Sequence, residues 1–298
     1  MSEITQDIVL RADQLQAHTE SPPLPRPVRP HPVRTVEMTS FGISGRPTAA
    51  ISLVTAVVIL SAWWATSWFG LVSPLFLPAP AEVVTQFANI YRDGYAGASL
   101  GEHLFASLFR ILTAAAIAIS LAIPIGLLMG VNRVAKGVLD TPIEFYWPLP
   151  PLSYLPLMII WLGIGETSKI TLLTLAMFAP ICLSAQAGVR ALPIERINAA
   201  RSLGASRFQL FTDIVFPSAL PEILTGIRIA LGIGWGTLVA AELIASTRGI
   251  GFMIMSAAQF LATDVVFVGI FIIAACAFSS AAAIRLLETA LVPWKGRT

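Results

Sequence analysis

The sequence predicts an all-α polytopic membrane protein with about six transmembrane helices. Three observations predict it. Residues of the set AVILMFWYC make up 56% of the 298 residues and charged residues only 12%, about half the charged share of a soluble globular chain. The charges are also unevenly placed: none occurs from Pro47 to Ala81, Ile111 to Asn132, Phe145 to Gly165, Ile170 to Val189 or Val265 to Ile284. Each interval matches the roughly 20 helical residues that cross a bilayer's hydrocarbon layer. Finally, Lys and Arg gather on one side of the resulting topology. Buried helices in a soluble protein of this length would not leave five such intervals.

Residues 1–47 form a separate zone. Seven prolines fall between Pro22 and Pro47, and with few hydrophobics to bury the segment is expected to be a disordered, proline-rich cytoplasmic tail. Mixed charges and the lack of an apolar core there argue against a signal peptide. Residues 48–298 then form the transmembrane domain, with spans read at about 49–69, 105–131, 141–161, 169–189, 220–244 and 265–285. The segment 82–91 (EVVTQFANIY) between the first two reads as a short interfacial helix. Two spans start on capping-box patterns, Ser99-Leu100-Gly101-Glu102 and Thr141-Pro142-Ile143-Glu144. The third span holds Pro148, Pro150, Pro151 and Pro156. Each proline removes an amide donor, so this backbone needs protein or a watery cavity beside it. A packed kink and a lining of a transport pathway both satisfy that need.

With the N-terminus inside, fourteen Lys and Arg lie on the inner side and three (Arg92, Lys169 and Arg248) on the outer. The bias predicts six crossings with both termini cytoplasmic. Arg110 and Arg228 lie within spans, as do Glu222 and Glu242, and charges there normally face protein or water. Glu222 reads as an interfacial residue near the positive end of its helix. Arg228 has two readings: contact with an anionic substrate, or pairing with a carboxylate. Glu242 lies near the outer end, in a structural or binding-protein role. In LGIGWGTLVA, Gly232, Gly234 and Gly236 surround Trp235 and allow either close helix packing or room along a path.

Several function classes are excluded. A net charge of +2 is too small for a nucleic-acid surface. GxxxxGK[ST], HExxH and a serine elbow are all missing, so no catalytic residues are expected. Cys182 and Cys276 fall inside spans without metal-ligand spacing and read as buried small apolar residues; no metal site is expected.

The most informative segment is 190–217. Ile197, Ala200, Gly204, Phe208, Phe211 and Val215 recur at spacings of three and four, as on one face of a helical pair. Arg196, Arg201, Arg207 and Asp213 supply the polar side. Such periodicity in a loop between spans fits a surface that docks into another protein. The motif Asn198-Ala199-Ala200, then Gly204, then Ile214-Val215-Phe216-Pro217 resembles the cytoplasmic signature of the permease family of binding-protein-dependent ABC importers. That signature is Glu-Ala-Ala, three residues, Gly, nine residues, Ile-x-Leu-Pro. Asn198 and Phe216 depart from it; the first loses a carboxylate, the second keeps apolar bulk. Within the family, the stretches at 73–80, 150–170, 202–206, 220–245 and 260–266 resemble the nitrate/sulfonate/taurine group, and its taurine permeases most.

The resemblance implies a type I ABC importer permease fold. It implies that Asn198, Ala199, Ala200, Arg201, Gly204, Ala205, Phe208, Ile214, Phe216 and Pro217 form the coupling surface for an ATPase subunit. The partners so implied are two ABC ATPase subunits, a second permease copy in a homodimer, an extracytoplasmic substrate-binding protein and membrane lipid. The chain itself would bind no cofactor, with ATP and Mg held by the ATPase. Alternating access in the cell inner membrane would carry taurine, or alternatively an aliphatic sulfonate or related small anion. Pro150, Pro151, Tyr154, Pro156, Arg228, Gly232 and Trp235 are the residues expected along the translocation path. A membrane scaffold that transports nothing is the alternative from another class; it leaves the coupling-type segment without a purpose, as does a secondary transporter.

Overall fold

The computed structural model describes residues 49–293; the proline-rich tail expected for 1–47 lies outside them. The chain divides into two units, residues 1–56 and 57–298. Of the first, the described part is the opening of helix α1 (Ala49–Trp68), where Thr55 Oγ1 donates to the Ile51 carbonyl.

In the second unit, α1 continues to Trp68, and α2 (Pro80–Asp93), α3 (Leu100–Val131) and α4 (Arg133–Tyr146) follow. A 3-10 turn at Pro151–Tyr154 leads into α5 (Leu155–Leu162), then α6 (Glu166–Arg190) and α7 (Ile194–Ser202). A helical turn at Arg207–Gln209 and a π-helical stretch at Leu210–Val215 run directly into α8 (Phe216–Ala245). The last helices are α9 (Ile250–Gln259) and α10 (Thr263–Leu291). Among the described residues there is no strand. Among the described residues five helical stretches are long and apolar enough to cross a membrane: α1, α3, α6, Arg207–Ile244 and α10.

The core is a trio of α3, α6 and α8. Ala114, Ala118 and Ala122 are fully buried on α3, and Gly126 and Gly130 extend that four-residue spacing to its end. The stripe faces α6 so closely that a Cβ at Gly126 would overlap the Cys182 carbonyl, and one at Gly130 would strike the Val189 side chain. Lipid tails are as apolar as leucine, so close backbone contact between small residues is what holds such helices together. Cys182 is buried, as the sequence predicts, whereas Cys276 is half-buried. A second cluster packs Val83 and Ile90 of α2 against Ile250 and Met253 of α9 and Val265 and Val268 of α10. Trp63 stacks on Phe267 there, with 5.8 Å between ring centres.

Two expectations are corrected and one helix is added. The third span, 141–161, is not a continuous crossing. Helix α4 starts at Asn132, whose Oδ1 accepts the Val134 N–H at 2.8 Å, so the Thr141 capping box is not used and Pro142 lies inside the helix. After Tyr146 the prolines at 148, 150 and 151 withhold three amide donors in four residues, and the chain resumes only as the 3-10 turn and the eight-residue α5. Leu155 and Met158 anchor that piece on Leu172 of α6 and Ala241 of α8.

The second correction concerns the fifth span. It begins at Arg207 rather than 220, because the helix continues through the π segment. Pro217 cannot donate to the Asp213 carbonyl four residues earlier, and the wider π register accommodates that missing bond. The helix that the sequence reading leaves out is α9, an apolar helix of ten residues that is too short to read as a span. Other signals hold: the Ser99 backbone N–H donates to Glu102 Oε2 at 2.9 Å while the Glu102 N–H reaches Ser99 Oγ at 3.3 Å. The interfacial segment 82–91 lies within α2.

Candidate functional site

The 194–217 segment is built as two short helices around one exposed turn. Helix α7 buries none of its residues. Its C-terminus closes with paired bonds: the Gly204 N–H donates to the Arg201 carbonyl at 2.9 Å and the Ala205 N–H to the Ala200 carbonyl at 3.1 Å. This is a Schellman cap, and it needs a left-handed residue after the helix. Gly204 supplies it at φ +83°. The next helix starts two residues later on a capping box, with the Ser206 N–H donating to Gln209 Oε1 at 2.9 Å and the Gln209 N–H to Ser206 Oγ at 3.3 Å.

The turn projects apolar side chains outward. Leu203 is 89% exposed and Phe208 76%, beside the exposed Asn198, Ala199, Arg201 and Gly204. Ile214 joins Gly204, Ala205 and Asp213 around a pocket of about 280 Å³. Phe216 and Pro217 lie further on, at the start of α8, and do not line it. The single apolar face expected from spacing is split by the turn. Leu210 and Val215 are buried and Phe211 packs half-buried on the core, whereas Phe208 points away.

At the other end of the trio the charges predicted to be costly are gathered into one network. Arg110 of α3, 3% exposed, forks onto Glu166 at the start of α6, with Nε to Oε2 at 2.6 Å and Nη2 to Oε1 at 2.7 Å. Its Nη1 donates to Glu242 Oε1 of α8 at 2.6 Å and to the Arg248 carbonyl at 2.8 Å. Glu242, 1% exposed, also accepts from Ser107 Oγ at 2.8 Å and from the Gly251 N–H at 2.8 Å. Lys169 Nζ lies 3.4 Å from Glu166 Oε1. Opposed charges with every lone pair engaged are the form in which ions are tolerated in a low-dielectric interior.

His103 extends the network. Its Nδ1 lies 3.0 Å from the Gly249 carbonyl and 3.1 Å from the Gly249 N–H, and its Nε2 lies 3.0 Å from the Tyr95 carbonyl. The network ties the ends of α3, α6 and α8 to the 246–250 turn. Sequence reasoning singled out Arg110 and Glu242 but not Glu166, Lys169, Ser107 or His103.

The residues expected along a path have different surroundings. Arg228 pairs with Glu288 at 3.5 Å. Trp235 is buried, and its Nε1 donates to Ser280 Oγ at 3.0 Å. Gly232 and Gly236 face open space, whereas a Cβ at Gly234 would meet Met177 Sδ at 2.8 Å. Pro150 and Pro156 are exposed, and Pro151 and Tyr154 half-buried. Among the described residues no group of His, Cys, Asp and Glu has the arrangement of a metal site.

Comparison with known proteins fits this arrangement. The profile of the family described as "Binding-protein-dependent transport system inner membrane component" matches residues 122–292. The chain is 53% identical over 247 residues to the Taurine transport system permease protein TauC of Escherichia coli (strain K12), covering 83% of this chain and 90% of that protein. It is 35% identical to the Putative aliphatic sulfonates transport permease protein SsuC of Bacillus subtilis (strain 168), over 82% and 87% of the two chains. It is 33% identical to the Nitrate import permease protein NrtB of Synechocystis sp. (strain ATCC 27184 / PCC 6803 / Kazusa), over 61% and 68%. A crystal structure of an amino acid ABC transporter superposes with a TM-score of 0.51 at 18% identity, covering 70% of this chain and 96% of that one; this likeness concerns the fold alone. The chain belongs to the family of binding-protein-dependent transport system inner membrane components, and its fold is that of a type I ABC importer permease.

Proposed function

We propose that this chain is the permease subunit that moves taurine across the inner membrane by alternating access, driven by ATP hydrolysis on a separate ATPase. The observation that carries the coupling is the exposed turn at Leu203–Phe208: a capped, defined backbone that presents a leucine and a phenylalanine to solvent needs a partner to cover them. Ala199, Ala200, Gly204 and Ala205 permit close backbone approach, and Arg201 supplies hydrogen bonds to the partner's carboxylates or carbonyls. Phe208 and Ile214 are the apolar contacts, and Phe216 and Pro217 join the surface to α8. Asn198, exposed on α7, lacks the charge of the family's glutamate.

The protein works as a homodimer with two ATPase subunits and an extracytoplasmic binding protein, with both termini cytoplasmic. ATP and Mg reside on the ATPase. Closure of the ATPase pair draws the two turns together, and because Arg207–Ala245 is one continuous helical rod the displacement passes directly into α8. The proline-broken segment with Pro150, Pro151, Tyr154 and Pro156, and the open face of α8 at Gly232, line the path. Arg228 and Trp235 flank it, held by Glu288 and Ser280.

Taurine is favoured over longer sulfonates by the 53% identity to a taurine permease against 35% to an aliphatic-sulfonate one. Taurine carries both an ammonium and a sulfonate, so a moderately polar passage suffices. Calorimetry on the cognate binding protein tests the assignment. Taurine is expected to bind at least about tenfold more tightly, about 1.4 kcal/mol, than longer alkanesulfonates, nitrate or sulfate. Tighter binding of one of those reassigns the substrate.

A further inference from the structure

A cavity of about 850 Å³ lies between the start of the coupling segment and the ends of α3 and α6. Its lining is of two kinds. Leu128, Val131 and Leu210 belong to an aliphatic floor, and Arg133, Arg201 and Arg207 are three guanidinium groups around it. Leu210 is buried, whereas Leu128 and Val131 are 47% and 53% exposed, so the floor opens sideways where the membrane-spanning α3 ends.

The charges here lack the carboxylate pairing of those within the spans. Arg110, Lys169 and Arg228 each have a carboxylate partner, as does Lys136. Among the described residues Arg133, Arg201 and Arg207 have no ion-pair partner, and no acidic residue lines the cavity. Three cations around apolar walls are complementary to a molecule that is anionic at one end and apolar at the other. The volume far exceeds what a free inorganic anion requires, given about 30 Å³ for a water, and leaves room for a headgroup with its first methylenes. Basic pockets between helices at the cytoplasmic boundary suit anionic phospholipid headgroups.

We propose that this cavity is a binding site for one anionic phospholipid, with the phosphate held by Arg133, Arg201 and Arg207 and the upper acyl chains on the Leu128–Val131–Leu210 floor. Arg133 opens α4, and Arg201 and Arg207 stand on either side of the exposed turn; with five N–H donors, Arg201 serves both this phosphate and the ATPase surface proposed above. A lipid held by all three ties that turn to the α3–α4 junction, so its occupancy sets how stiffly the turn is coupled to the bundle. The site depends on neither the substrate assignment nor transport itself.

Native mass spectrometry of the delipidated permease–ATPase complex tests this, with phosphatidylglycerol, phosphatidylcholine and glycerol phosphate as probes. One phosphatidylglycerol is expected per permease chain, with phosphatidylcholine at least about tenfold weaker. Arg133 is exposed and outside the coupling turn, so Arg133→Gln leaves the fold intact. It is expected to weaken phosphatidylglycerol binding about fivefold, the effect of one near-surface charge, and Arg133→Lys to recover most of that loss. Equal retention of the two lipids, or unchanged binding by Arg133→Gln, overturns the proposal. Displacement of the lipid by equimolar glycerol phosphate overturns the lipid assignment in favour of a free anion, and binding to the permease alone but not to the complex shows that the ATPase fills the cavity instead.

Discussion

Replacing Arg110 with methionine is expected to destabilise the folded protein by about 3–5 kcal/mol, the cost of stranding a buried charge by removing its partner. Glu242 is 1% exposed and would keep only Ser107 and the Gly251 N–H, while Glu166 would lose its fork. The loss falls on a junction of three helices, so the 246–250 turn and α9 should loosen as well. Thermal unfolding of the detergent-solubilised protein reads the change. Glu166→Gln should cost less, because the Glu166 side chain is half exposed and Arg110 keeps Glu242, although the buried Lys169 loses its carboxylate. The double variant Arg110→Met/Glu242→Gln should recover much of the loss, since the stranded charge is gone. An Arg110→Met protein as stable as the parent would mean that the network is not the clamp described here.

Gly204→Arg is expected to abolish coupled uptake while leaving the membrane bundle folded. Two effects add at this position. A side chain at φ +83° costs about 1–2 kcal/mol, which strains the Schellman cap. The new Cβ meets nothing within 4 Å, so the arginine extends outward from the surface assigned to the ATPase and blocks its approach. Uptake into reconstituted vesicles should fall by more than about tenfold, and ATP hydrolysis should stop responding to loaded binding protein. Gly204→Ala carries the backbone strain without the bulk and should retain most uptake. Unchanged uptake and unchanged stimulation in Gly204→Arg would remove this turn from the coupling surface.

Long uncharged intervals made most of the helices legible, because a bilayer-length apolar run admits few other structures. The α3 start was readable from Ser99 and Glu102, whose capping is local. The 141–161 region failed for a local reason too: its length and apolarity match a span, but the density of prolines decides the backbone. Arg207 and Asp213 made the start of the long α8 rod look like part of the segment between spans, although both are exposed and the helix runs on past them. The coupling turn was legible because its glycine spacing and small residues recur in a known signature. The charge cluster was not, beyond the oddity of Arg110 and Glu242 inside spans. Glu166 lies 56 residues from Arg110 and Glu242 lies 132 away, and only packing of α3, α6 and α8 brings them together.

The most direct test is taurine uptake by proteoliposomes holding the permease, its ATPase and the binding protein. Uptake that requires ATP and binding protein, persists without an ion gradient and stops when the ATPase is omitted is the predicted result. Uptake that needs only an ion gradient, or no taurine flux with all three components present, would contradict an ATP-coupled taurine permease.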